Sequence, residues 1–117
     1  MTYKEVATLI SSFGLPYAYY QFEEGTAQPP PFICFFYPRS EDLLADDTNY
    51  QKIRALVIEL YTDYKDFSLE ETIETRLTEA GLVYARSETY LDDEKMFEVV
   101  YETSIVVEPE QQEENNG

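Results

Sequence analysis

The sequence predicts an α+β fold in which two helices pack on one face of a mostly antiparallel sheet of about five strands. Two stretches place apolar residues three and four positions apart, as an amphipathic helix does, and a glycine follows each stretch. Other stretches are rich in aromatic and β-branched residues and are bounded by proline, glycine or acidic residues, as strands are. The predicted order is α-β-β-β-α-β-β, with one domain at residues 1–107 and a disordered acidic tail at residues 108–117.

The first helix is predicted at residues 3–13. Thr2 and Glu5 have the spacing of a capping box, in which each side chain accepts a hydrogen bond from a backbone N–H at the start of the helix. Gly14 follows the apolar stripe and suits the left-handed conformation that ends many helices.

Two strands are predicted next, at Tyr17–Phe22 and Phe32–Tyr37. Pro38 ends the second strand because proline cannot donate a hydrogen bond to a sheet. The Pro29–Pro31 run between the strands is predicted to stiffen a hairpin loop.

The segment from Arg39 to Asn49 is polar but contains Leu43 and Leu44. These leucines either anchor a loop or a short helical turn, or stay exposed for a partner. Asp46 and Asp47 lie in the same segment, but their spacing lacks the alternation and the glycine of a calcium loop.

The longest nearly uninterrupted apolar run lies in Tyr50–Asp63 and is predicted to be a strand deep in the sheet. Leu56, Ile58 and Leu60 alternate with residues that point to the other face, among them Glu59. A helix remains the alternative here, because residues 53, 56, 57 and 60 also have helical spacing.

The second helix is predicted to start at a capping box formed by Ser68 and Glu71 and to end at Gly81. Two strands follow, at Leu82–Leu91 and Lys95–Val107, and the second has alternating polar and apolar residues that predict a partly solvated face. The acidic turn between these strands consists of Asp92, Asp93 and Glu94.

The chain is strongly acidic, with 24 Asp and Glu against 8 Lys and Arg and a formal net charge of −16. The tail contains four of these acids and no base, so residues 1–107 still have 20 acids against 8 bases and a formal charge of −12. Such a charge repels phosphates and anionic membranes and favours basic partners or solubility. The first ten residues lack the charged start and longer apolar core of a signal peptide, so none is expected, and no apolar stretch approaches the length needed to span a membrane.

The composition argues against an enzyme. The chain has no histidine, and Cys34 is its single cysteine, so neither a Cys/His pair nor an intrachain disulfide can form. No phosphate-binding or dinucleotide-binding glycine motif is present, and neither a cofactor nor a metal site is predicted. Glu59 is the one carboxylate considered for acid–base chemistry, and a satisfied edge or interface position is the preferred interpretation.

Several motifs resemble one family, the small tail-terminator or tail-completion proteins of long-tailed phages and prophages of Gram-positive bacteria. They are turns and strand ends rather than a catalytic signature, and they extend over residues 1 to about 107. The motifs are Gly14-Leu15-Pro16-Tyr17-Ala18-Tyr19, Pro30-Pro31-Phe32, Tyr50, Glu59-Leu60-Tyr61-Thr62-Asp63 with Lys65-Asp66, Glu71, Ile73-Glu74, Gly81-Leu82 with Tyr84, Ser87-Glu88 and Tyr101.

The resemblance implies a non-enzymatic virion protein that forms a ring, typically a hexamer, at the end of the tail tube. Its partners would be further copies of itself, the tail tube protein and the head–tail connector protein. It would assemble in the host cytoplasm, and DNA would pass through the ring without specific binding. Acids predicted to contribute to the lumen are Glu70, Glu71 and Glu74 on the outer face of the second helix, or Asp92, Asp93 and Glu94.

Two alternatives stay open at this point. An acidic protein of this size could mimic nucleic acid and inhibit a host DNA-binding or defence protein. A head-completion protein of the same neck would share the ring and the fold.

Overall fold

The computed structural model describes residues 1–45 and 49–110. Its elements follow one another in the order that the sequence predicts, with a short additional hairpin before the longest apolar run. In chain order they are α1 (Tyr3–Ser11), β1 (Tyr17–Tyr19), β2 (Phe32–Phe36), β3 (Leu43–Ala45), β4 (Asn49–Gln51), β5 (Ile53–Thr62), α2 (Phe67–Glu79), β6 (Ala85–Leu91) and β7 (Met96–Val106).

A five-stranded sheet organises the molecule, with the strands in the order β1-β2-β5-β7-β6. Neighbouring strands are antiparallel except β1 and β2, which are parallel. Strands β3 and β4 form a separate two-stranded sheet. The predicted α+β fold, with two helices and a mostly antiparallel sheet of five strands, is therefore confirmed.

Strand β5 lies at the centre of the sheet, so the strand prediction for this run is confirmed and the helical alternative is wrong. Ile58 pairs with Phe35 of β2 on one side and with Tyr101 of β7 on the other. Pairing on both sides satisfies the backbone groups of a strand whose side chains are mostly apolar on both faces.

Helix α1 starts as predicted. Thr2 Oγ1 accepts a hydrogen bond from the Glu5 amide at 3.0 Å, and Glu5 Oε1 accepts one from the Thr2 amide at 2.9 Å. These bonds lower the pKa of the Glu5 carboxyl, because they favour its charged form.

Helix α2 starts two residues earlier than the Ser68 cap predicts, and the Ser68–Glu71 capping box is wrong. The helix begins at Phe67, and Asp66 Oδ1 accepts the Leu69 amide at 3.0 Å. Because Asp66 already occupies the N-cap, Ser68 lies inside the first turn.

The connection between β1 and β2 also differs from the prediction, because these strands are parallel and cannot form a hairpin. Tyr20 has a φ of 69°, a left-handed conformation that ends β1 at Tyr19 rather than at Phe22. Residues 20–31 then return the chain to the end of the sheet from which β1 started.

The segment predicted as a loop or helical turn instead forms the β3–β4 hairpin, in which Leu44 pairs with Tyr50. The side chains of Leu43 and Leu44 lie outside what the structure describes, as do Asp46 and Asp47. The prediction that these leucines meet a partner therefore stays a prediction.

The hydrophobic core lies between one face of the sheet and the two helices. On β5 the side chains of Leu56, Ile58 and Leu60 are fully buried, and each Leu or Ile buried in this way contributes about 1.5–3 kcal/mol to folding. The other large contributors are Val6 and Ile10 of α1, Ile33 of β2, Ile73 and Leu77 of α2, and Val99 and Tyr101 of β7.

The two ends of the described chain meet beside α1. The Glu108 amide donates to the Met1 carbonyl at 3.1 Å, and Glu110 Oε1 accepts the Lys4 amide at 3.0 Å. The rest of the predicted tail, residues 111–117, lies outside the described residues.

Candidate interface surfaces

The sheet has a helix-covered face and an open face on which no helix of the described residues packs. The strand register places on the open face the polar set of β7 that the sequence predicts to be partly solvated. Loop 20–31 touches the β2 side of this face, where Tyr20 and Phe22 pack edge-to-face on Phe36 and Phe32. The side chains on the open face include Phe32, Glu59, Tyr61, Glu98, Val100 and Glu102.

Two carboxyl groups meet on the open face without a base. Tyr61 Oη donates a hydrogen bond to Glu98 Oε2 at 2.8 Å and lies 3.2 Å from Glu59 Oε1. The Phe32 ring stacks on the Tyr61 ring at 4.9 Å and shields the group from water. Among the ion pairs of the described residues, none reaches Glu59 or Glu98.

This environment perturbs the titration of the open-face cluster. Burial raises the pKa of the Glu59 carboxyl, and the neighbouring Glu98 charge raises it further. Burial also raises the pKa of Tyr61, so its hydroxyl stays protonated and acts as a donor. Because no ion pair of the described residues involves Glu59 or Glu98, ionisation of Glu59 places a second negative charge beside Glu98 without a cation to offset it.

A second cluster, on the helix-covered face, is complete within the chain. Glu70 is 4% exposed and forms ion pairs with Lys65 and Arg86. Arg86 also lies 3.6 Å from Glu74, whose carboxylate accepts the Tyr101 hydroxyl at 2.7 Å. Each buried charge here has an opposite charge beside it, as stable burial requires.

The predicted lumen acids of α2 do not share one face. Glu70 and Glu74 face the sheet because Arg86 of β6 and Tyr101 of β7 bind them, so their predicted position on the outer face of α2 is wrong. Glu71 does lie on that face and is exposed, and so are Asp92, Asp93 and Glu94 in the β6–β7 turn. The burial of Glu70 could not be predicted from nearby residues, because its partner Arg86 lies 16 residues further along the chain.

Exposed aromatic side chains lie at the two edges of the sheet. The sequence motifs did not identify these residues as candidate interface residues. At the β1 edge, Tyr19 and Tyr20 are 54% and 62% exposed. At the β6 edge, Tyr90 is 46% exposed, and Phe67, at the start of α2, is 69% exposed. Aromatic residues exposed to this extent are enriched in protein interfaces.

The described residues offer little for catalysis or metal binding. Cys34 is buried, and burial together with the Glu59 charge raises the pKa of its thiol to about 11. Within residues 1–45 and 49–110, no group of three or more acidic or cysteine side chains is arranged to hold a metal ion. In the same part of the chain, no helix is long and apolar enough to cross a membrane.

No family model matches the sequence, and no curated protein matches it. Among solved structures, the fold is similar to that of a chain in the virion of a native gene transfer agent (GTA) particle, with a TM-score of 0.60. The two chains are 16% identical, and the match covers 88% of this chain and 86% of that chain. The likeness establishes a shared fold over nearly the whole length of both chains.

Proposed function

We propose that this chain is a structural protein of a phage-like virion, and that it forms the ring that ends the tail tube and joins it to the head–tail connector. The observation that carries the proposal is the fold shared with a component of the GTA particle over 88% of the chain. The sequence motifs that resemble tail terminators support the same class of particle.

The surfaces of the molecule suit assembly rather than turnover. Aromatic side chains at both sheet edges provide contact area for further copies. The open face has apolar and aromatic side chains around an unneutralised carboxyl pair, and it is available to the tube protein or the connector protein.

The acidic surface suits a channel for DNA. Each basic contact to a phosphate adds to DNA binding, so a lumen lined by acids lets the genome pass without being held. Glu71 and the Asp92–Glu94 turn are the proposed lumen acids, since Glu70 and Glu74 are engaged inside the fold. Replacing Glu71, Asp92, Asp93 and Glu94 by their amides should leave tail length unchanged and slow DNA delivery several-fold. An unchanged delivery rate would place these acids away from the lumen.

The experiment that tests the function is a measurement of tail length after deletion of this gene from the parent phage, by negative-stain microscopy. We expect overlong tails of uneven length, separated from filled heads, and restoration of normal tails by the wild-type gene in trans. Tails of normal length beside unjoined heads would instead assign the protein to head completion. Intact infectious particles would overturn the virion function and favour an acidic inhibitor of a host protein.

A further inference from the structure

Both edge strands of the five-stranded sheet have a free side. Strand β1 pairs with β2 alone and β6 pairs with β7 alone among the described strands. Six of the seven residues of β6 are exposed, the strand contains no proline, and its register with β7 has no break. Such an edge is open to pairing with a strand of another chain.

The outer side of β1 is free for pairing as well. The Pro16 carbonyl and the Tyr20 amide bond to β2, so the backbone groups of Tyr17 and Tyr19 point away from it. The Gln21 amide donates a hydrogen bond to the Tyr19 carbonyl at 2.8 Å. The Tyr17 amide, the Tyr17 carbonyl and the Tyr19 amide are then the β1 backbone groups on this edge that can bond to another strand.

We propose that the copies of the ring join edge to edge, with β1 of one copy pairing with β6 of the next, and this inference rests on the proposed function. Three antiparallel steps and one parallel step separate β6 from β1 in the sheet, so the two edge strands run in opposite directions. Copies related by a rotation about the ring axis therefore bring β1 and β6 together as an antiparallel pair. The contact is heterologous, as a closed ring requires.

Charge favours the edges over the other surfaces for contact between copies. The body has a formal charge of −12, yet β1 has no charged residue and β6 has one Arg and one Glu, so both edges are neutral. Contact through the open faces would instead oppose the Glu59–Glu98 pairs of two copies. The edges are where two acidic copies can approach without like-charge repulsion.

A symmetric pairing of β6 with β6 of a second copy is the competing arrangement. Full overlap of residues 85–91 would place Glu88 opposite Glu88, a like-charge contact that Lys65 and Arg86 of each copy only partly offset. It would also leave Tyr19 and Tyr20 of both copies uncovered. The heterologous pairing covers the aromatic side chains of both edges.

Photo-crosslinking in assembled tails tests the pairing. The photoreactive residue p-benzoylphenylalanine replaces Tyr19, which is 54% exposed, and the variant is expressed in the deletion strain. After irradiation of purified tails, mass spectrometry should find residue 19 joined to residues 85–91 of another copy. The same probe at Tyr90 should give the reciprocal product with residues 17–20, and a probe at Glu71 should give at least tenfold less of either product.

The outcomes separate this inference from the proposed function. Crosslinks between two copies of residues 17–20, crosslinks to another protein alone, or no crosslink between copies from either probe would overturn the edge pairing, provided the tails have normal length and contain the protein. Absence of the protein from tails, with normal tails in the deletion strain, would overturn the function itself.

Discussion

The two faces of the sheet each contain a cluster of carboxylates and tyrosine, but only the cluster on the helix-covered face contains cations. Glu70 is 4% exposed and is bound by Lys65 and Arg86, so its charge is compensated inside the fold. Glu59 and Glu98 share the Tyr61 hydroxyl and have no base beside them among the described residues. The first cluster is part of what holds the fold together, whereas the second is a partly buried pair of carboxyl groups without a cation.

The pKa values follow the same division. The Lys65 ammonium beside Glu88 lowers the pKa of that carboxyl, because it favours the charged form. Burial and the Glu98 charge raise the pKa of Glu59. The cluster on the helix-covered face thus contributes stability through charged groups, whereas the Glu59–Glu98 cluster is stabilised when it binds a proton or a cation.

The largest expected difference between the faces lies in their apolar side chains. Leu60 on the helix-covered face is fully buried, and Leu60→Ala should lower the free energy of unfolding by about 2–5 kcal/mol through lost burial and a cavity. Val100 lies on the open face and is only partly buried, so Val100→Ala should cost about 1 kcal/mol or less. Urea unfolding at neutral pH measures both, and equal losses would contradict the division into a covered and an open face.

Breaking an ion pair should lower the free energy of unfolding more on the helix-covered face than on the open face. Arg86→Met leaves the buried Glu70 with Lys65 alone and should lower the free energy of unfolding by about 2–3 kcal/mol. This is below the ~3–5 kcal/mol for breaking a fully buried pair, because Lys65 stays bound and the Arg86 side chain is 34% exposed.

Arg39→Met is the matched control on the open face. Arg39 and Glu102 form an ion pair at 2.9 Å, but their side chains are 54% and 45% exposed. Its loss should cost about 0–1 kcal/mol in the same urea experiment. If Arg86→Met lowered the free energy of unfolding no more than this control does, the Glu70 cluster would not contribute to the stability of the fold.

Local patterns in the sequence predict much of this fold but not the contrast between its faces. The alternation along Met96–Val106 shows which side chains of β7 share a face, because neighbouring residues of a strand point in opposite directions. The parallel pairing of β1 and β2 and the burial of Glu70 depend on residues far apart in the chain. Periodicity carries no information on such distant partners.

The residues of the candidate interfaces could not be predicted from the sequence for the same reason. Tyr19 and Tyr90 look like ordinary strand tyrosines, and only the strand order shows that each lies at an edge. The α2 cap was missed because Asp66 and Ser68 both suit an N-cap, and the sequence alone does not decide between them.

The smallest predicted effect concerns the open carboxyl pair and depends on pH. The raised pKa means that the folded state holds the Glu59 proton more tightly than the unfolded state does. The stability of the wild type therefore falls as the pH rises from about 4.3, the carboxyl value in an unfolded chain, through the raised folded value. Glu59→Gln removes this loss and keeps an oxygen that accepts the Tyr61 hydroxyl, so at neutral pH the variant should be more stable by up to about 1 kcal/mol, the scale of a cross-strand charge pair.

Comparing Glu59→Gln with the wild type at two pH values tests the sign of the stability difference between them. Thermal unfolding at pH 7.5 should favour the variant, and near pH 4 the difference should shrink because Glu59 of the wild type is then protonated. Glu102→Gln, on the same face but beside Arg39, should show no such gain. Equal destabilisation by Glu59→Gln at both pH values would mean that the carboxylate is satisfied where it lies, and the open face would then hold no uncompensated charge for a partner to neutralise.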